Sequence, residues 1–569
     1  MISSELKKAR DFEELNEGLV SDEARPAFHF SPRVGWLNDP NGLSFYRGEY
    51  HLFYQYHPYT LYWGPMHWGH AVSSDLISWE YLPAALAPDE AYDAEGCFSG
   101  SAVTMSDGRH LLMYTGCVND GLDPLGKGRW RQSQCVAVLS AETGEYCKYE
   151  GNPVITEDDL PAGGDTYEFR DPYVWRAPDG TYRAVAANGR FDDIIPEDTH
   201  SIQNGAQICL YRSDDGFNWR FDKVLLRDER RIGVMWECPS FFSLEDRQVL
   251  IASPMDMMLE KEEAIGSVRF PKGNNVCYIC GNYDEETETF TPYAETETDP
   301  AGCIPFRYDP VDLGLDFYAP QVMTAPDGRR IMIGWMQDPK NANYIRSEDI
   351  RAEGEDNTSH PTEIYGQGYA HGTPGTRIFG QMTIPRELFF KKGRLCQRPV
   401  RELRAYRKDK LEYSEVHLAD EERSLNGVSG RILDMEIDIK PYNVSDSERG
   451  ASYELFTLMF AKDDEHCVRL SYEPARSLLT VNRGMSGQCA EITAIRSVRV
   501  SDRGGELCLR VLLDKWSAEV FVNGGEQTMS LTYYTPLDAD GIVFSARGSL
   551  SMDVTVYNIA KEKGSGPEK

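Results

Sequence analysis

Trp36-Leu37-Asn38-Asp39-Pro40-Asn41-Gly42 places a carboxylate at the head of an apolar run that turns at Gly48 (YRGEYHLFYQ) and returns as a second strand-like run. The same grammar recurs at Gly108 (SDGRHLLMYTG), Gly180 (PDGTYRAVAANG), Asp246 (LEDRQVLIASP) and Gly328 (PDGRRIMIGWM). Each is a tight-turn signal between an apolar run and a β-rich one. Nine residues before the five turns lie Asp39, Ser99, Asp171, Glu237 and Ala319, with Pro one or two places later in four of them. A strand-and-hairpin unit of roughly sixty to eighty residues, repeated five times in one register, predicts a five-bladed β-propeller. The innermost strand of each blade lines the central channel, so Asp39, Asp171 and Glu237 should meet at one mouth of it although they are far apart in sequence.

The chain has 569 residues, enough for a propeller and one further domain. Five segments are expected: a helical extension over 1–25, the propeller over 26–397, a basic linker over 398–411, a β-sandwich over 412–562 and a disordered tail over 563–569. Leu6, Ala9, Phe12, Leu15 and Leu19 set the helical spacing of the first. Alternating runs such as GRILDMEIDI, HCVRLSYE and SAEVFVNGG set the sandwich, so the fold class is all-β. A formal charge of −32 argues against nucleic acid or an anionic membrane as partner. A polar N-terminus, no long apolar run and thirteen Cys without framework spacing predict a soluble, cytoplasmic protein with reduced thiols. Cys277 and Cys280 form a lone CxxC, read as core packing.

Two carboxyl groups facing each other across a pocket are the equipment of glycoside hydrolysis, one attacking or activating water and the other protonating the leaving oxygen. A ring of acids can instead hold Ca²⁺. Arg170 beside Asp171, and the nearby Trp, Tyr and Phe, favour a sugar over a metal, and no cofactor is called for. Asp39 reads as the nucleophile, and Glu237, between Trp236 and Cys238, as a partly desolvated acid with a raised pKa. Ser99 has no G-x-S-x-G context and suits a sugar hydroxyl better than a nucleophile's role. If the second strand of the first blade ends at the mouth, the loop after it carries Trp63 and His67 toward the substrate, with Gln55 beside them. The polar segment from about 337 to 376 falls on the same face and reads as a specificity lid or an oligomer contact.

WLNDPNG (36–42), FYQYHP (53–58), WGHAVSSDLISW (68–79), FSGSAV (98–103), FRDP (169–172), ECP (237–239), DFYAPQ (316–321), FGQMTIPREL (379–388) and LDKWSAEVFVNGGE (513–526) together resemble glycoside hydrolase family 32, the invertases, fructanases and sucrose-6-phosphate hydrolases. The resemblance covers nearly the whole chain. It implies a five-bladed propeller followed by a β-sandwich, cleaving terminal β-fructofuranosides with retention and acting on a small-molecule fructoside. It also implies Asp39 as nucleophile, Glu237 as general acid/base, Asp171 as transition-state stabiliser, and Asn38, Gln55, Trp63, Phe98, Ser99 and Arg170 as sugar contacts. Leu37 stands where Met is commoner, and the 337–376 segment is longer than in simple invertases, which opens substrate choice. Sucrose and short fructo-oligosaccharides are the expected substrates. Fructosyl transfer, dianhydride processing and sucrose 6-phosphate hydrolysis are the alternatives.

Overall fold

The computed structural model describes residues 2–122, 128–190, 205–228, 232–294, 306–337, 377–442, 452–487 and 493–560. The expected tail and nearly all of the 337–376 segment lie outside them.

Five antiparallel sheets form the blades, and their innermost strands are the five the turn register picks out: Gly35–Tyr46, Gly96–Thr104, Gly164–Arg176, Trp236–Leu244 and Tyr318–Thr324. The first hairpin turns through Arg47 and Gly48, both at positive φ (51° and 94°), a conformation that glycine adopts without strain. The ring closes between the first and fifth blades. Ile378–Phe379 pairs in parallel with Gly35–Trp36, after which Arg386–Lys391 and Arg394–Pro399 complete the fifth blade.

The Asp-Pro and Cys-Pro steps are β-bulges inside the inner strands. In each blade the pairing slips at or next to the ring position: Asn38 and Asp39 face one partner residue, Ser99 is extra, Asp171-Pro172 and Ala319-Pro320 repeat the pattern, and in the fourth blade Glu237 pairs with Ser253 and the slip follows it at Cys238-Pro239. Asp171, Cys238 and Ala319 sit at positive φ (62°, 49° and 46°). Proline, which has no N–H to give a ladder, is tolerated in a strand at such bulges, and a bulge re-aims the side chain beside it. Here Ser99, Asp171 and Cys238, from three different blades, line one pocket.

The N-terminal helix runs Ser4–Glu17, capped by the Ser3 hydroxyl, and buries Leu6, Ala9 and Phe12. Leu15 and Leu19 do not join that face; they are 68% and 56% exposed, and Leu19 lies beyond the helix end. The 398–411 stretch holds the end of strand Arg394–Pro399, a 3-10 helix over Arg401–Tyr406 and the start of strand Arg407–Ala419. From there the chain builds two sheets around an apolar core that includes Met435, Ile437, Leu458, Val481, Leu509 and Phe544. The long strand Gly541–Ile559 belongs to both, pairing with Tyr453–Lys462 through its first half and with Leu433–Pro441 through its second. It crosses between them at Gly548 (φ 84°), where a Cβ would stand 2.7 Å from the Tyr453 Cα. No helix among the described residues is long and apolar enough to cross a membrane.

The two domains meet through buried charge. Arg386 donates to Glu519 (2.8 Å) and Asp312 (2.9 Å), Glu519 accepts from His29 Nε2 (2.8 Å), and His29 Nδ1 lies 2.9 Å from Asp514. Burial alone would discharge the imidazole, but hydrogen bonds and charges from Asp514 and Glu519 outweigh it and raise the His29 pKa to about 9. A histidine pKa above its unfolded value contributes stability fully below pH ~6.5, lost as pH rises through ~9. We therefore expect the unfolding free energy to fall by on the order of 3 kcal/mol between pH 7 and pH 9.5, and the melting temperature to fall with it. His29→Gln should be less stable at pH 7 and lose that slope; an unchanged slope would count against the assignment.

Candidate active site

The bulges bring together Asp39, Asp171 and Glu237. The Cys238 thiol lies 3.6 Å from Asp39 Oδ2 and 3.6 Å from Asp171 Oδ2, so one sulfur touches two of the three acids. Ser99 Oγ donates to Asp39 Oδ2 (2.7 Å), and the Cys238 backbone N–H donates to Asp171 Oδ2 (2.9 Å). Arg170 spans the other pair: its Nε and Nη2 donate to Glu237 Oε1 (3.0 and 2.8 Å), while Nε stands 4.0 Å from Asp171. Tyr318 donates its hydroxyl to Glu237 Oε2 (2.6 Å). The flanking Trp236 and Cys238 predict a Glu237 shaped by desolvation. Its carboxylate is instead gripped by Arg170 and Tyr318.

Burial raises the Asp39 pKa to about 6, against the Ser99 hydrogen bond that holds it down, and the charge of Glu237 pushes the same way as burial. Asp171 is pushed up as well, by burial first; Arg170 opposes this, and the charges of Glu237 and Asp39 add to it. Acids this close cannot all be ionised cheaply, so the cluster holds protons at a pH where isolated carboxyl groups would not.

The remaining predicted residues divide into wall and support. Ser99 and Arg170 contact the acids directly. Phe98 and Trp63 are half-buried and meet edge to face at 5.8 Å. Asn38 is buried and accepts from Trp36 Nε1 (2.9 Å), and Gln55 is buried and donates to the Cys97 carbonyl (3.0 Å). His67 does not reach the site. It is buried against Tyr59 and His57, with Nδ1 3.0 Å from the Pro65 carbonyl.

Sequence reasoning passed over the floor. Gln321 accepts from Leu43 N (2.6 Å) and donates to the Gly100 carbonyl (2.8 Å), tying the fifth blade to the first two. Asn41 accepts from Gly100 N (3.0 Å) and donates to the Asp39 carbonyl (3.2 Å). The signal was available: Asn41 and Gln321 each follow a bulge proline, in DPN and APQ. Cys277 packs in the core between the third and fourth blades and Cys280 against the neighbouring core, so the CxxC thiols diverge. No cluster of metal-ligating side chains occurs among the described residues.

The profile of the Glycosyl hydrolases family 32 N-terminal domain matches residues 29–352, and that of the Glycosyl hydrolases family 32 C-terminal region matches 402–559. A sucrose-6-phosphate hydrolase of Zymomonas mobilis is 33% identical over 535 residues, covering 92% of this chain and 89% of its own. A raffinose invertase of Escherichia coli is 32% identical, covering 92% of both. Among solved structures, a mutant Bombyx mori GH32 beta-fructofuranosidase in complex with sucrose superposes with a TM-score of 0.73 at 27% identity, covering 99% of each chain.

Proposed function

The chain belongs to glycoside hydrolase family 32 and hydrolyses fructosides, and from that premise we propose that it works by retention, with Asp39 as nucleophile and Glu237 as acid and then base. The observation that carries this reading is the convergence of Asp39, Asp171 and Glu237, from three different blades, around Cys238 and Arg170. In the first step the Asp39 carboxylate attacks the anomeric carbon of a terminal fructosyl unit while Glu237 gives its proton to the departing oxygen. An ester between Asp39 and fructose results. In the second step Glu237 takes a proton from water, the water oxygen attacks the anomeric carbon, and the ester bond to Asp39 breaks. The chemistry requires Asp39 ionised for attack and a proton delivered from Glu237 to the departing oxygen. Asp171, fixed by Cys238 N and by its own N–H to Thr115 (3.0 Å), is placed to accept from fructosyl hydroxyls.

We take sucrose and short fructo-oligosaccharides as the substrates, acted on in the cytoplasm. Sucrose 6-phosphate is the second reading, favoured by the Zymomonas mobilis relative. Initial rates on sucrose, sucrose 6-phosphate, inulin and levan decide between them. Sucrose is expected to be turned over with equal release of glucose and fructose; a rate on the phosphorylated sugar far above that on sucrose overturns the choice, and glucose in excess of fructose points to transfer.

The pH profile tests the Asp39 assignment. Because Asp39 must be ionised to attack, kcat/KM should fall as pH drops through about 6. Ser99→Ala removes the hydrogen bond that holds this pKa down, so its acid limb should move to higher pH; a limb that stays put separates Ser99 from Asp39.

A further inference from the structure

One aromatic wall rises from the pocket farther than the fructosyl site needs. It begins at Phe98, next to Ser99, passes to Trp63 at 5.8 Å and continues to Trp130 at 6.1 Å. Trp130 stands near the mouth end of strand Gly128–Leu139, the partner of His110–Leu122, whose final residues Asn119–Leu122 are exposed above the blade. The same strand reaches the acid. Gln132 Oε1 accepts from the Arg170 guanidinium (3.3 Å) and from Phe169 N (2.9 Å), and Arg170 holds Glu237. Two residues of strand separate Gln132 from Trp130, about 7 Å toward solvent. That is close to the length of one sugar ring beyond Gln132, the residue that meets the guanidinium holding Glu237.

With fructose on the floor between Asp39 and Glu237, the sugar on the far side of the scissile bond has to leave past this wall. We propose that Trp130 is a specificity-determining contact for the leaving sugar, its indole face packing against the C–H face of a hexosyl group such as the glucosyl of sucrose. Trp63, between Phe98 and Trp130, sets the indole's position. Gln132 couples the hairpin to Arg170, so the leaving group's position and the acid's are fixed by one strand. This rests on the fructosidase reading above, and the test separates the two.

Trp130→Ala and Trp130→Phe are compared with the parent protein on sucrose and on methyl β-D-fructofuranoside, whose leaving group is too small to reach the wall. Trp130→Ala is expected to raise KM for sucrose about tenfold. Its kcat/KM on the methyl fructoside should stay within about twofold, and Trp130→Phe should recover most of the sucrose loss. Equal losses on both substrates, or no loss on either, overturn the proposal. A parent protein that cleaves neither fructoside would defeat the fructosidase reading itself.

Discussion

Asp39→Asn should abolish turnover of every fructoside, by roughly 10³-fold or more, and at the same time make the protein harder to unfold. The two halves have one cause. Asp39 is held in a buried cluster with Asp171 and Glu237, where its pKa is raised to about 6 from an ordinary 3.8. A carboxyl group whose pKa rises on folding costs stability above its unfolded value, and the cost reaches its full size once pH exceeds the folded value. At pH 7.5 that cost is on the order of 3 kcal/mol, and a neutral amide removes it. The melting temperature of Asp39→Asn should therefore exceed the parent's at pH 7.5 and approach it near pH 4. A variant that is inactive and less stable at pH 7.5 would mean that Asp39 holds the fold together, and its activity loss would then say little about chemistry.

Arg386→Met should destabilise the protein by about 3–5 kcal/mol. The guanidinium is fully buried, with Glu519, Asp312, Gln397 and Ser530 all accepting from it, and Asp312 and Glu519 are fully buried as well. Taking the cation away leaves Asp312 without its guanidinium partner and Glu519 with His29 alone in a dry interface, the case in which losing one half of a buried pair costs most. Adding Asp312→Asn and Glu519→Gln to Arg386→Met should return much of the loss, because the uncompensated charge is gone. Urea unfolding of the three proteins measures this. A single variant within about 1 kcal/mol of the parent would show that the charges do not hold the domains together.

The reach of the sequence follows from which features repeat. Turn signals at Gly48, Gly108, Gly180, Asp246 and Gly328 fix each inner strand, and counting back from them lands at or beside the bulge because every blade carries it within a residue or two of the same distance. The prolines that look like turn residues at 40, 172, 239 and 320 mark those bulges. Contacts between blades carry no such period. Arg170 looks like a companion of its neighbour Asp171, yet its two shortest bonds to the ring acids go to Glu237, sixty-seven residues away. Tyr318 reads as an aromatic at the mouth, and only the juxtaposition of the fourth and fifth blades makes it a donor to Glu237. His67 was expected near substrate because its loop overhangs the site; it lies at the start of the next strand, whose side chains there pack into the first blade. The His29 and Arg386 network was invisible for the same reason, since Asp514 and Glu519 are nearly five hundred residues from His29.

The most direct test of the central claim is to catch the intermediate. In Glu237→Gln the second step lacks its base, while a fructosyl fluoride needs no acid to leave, so the ester should accumulate. Intact-mass measurement after acid quenching should find one added fructosyl unit per chain, and peptide mapping should place it on Asp39. A fructosyl group on another carboxyl, or turnover with inverted product and no adduct, would contradict the account.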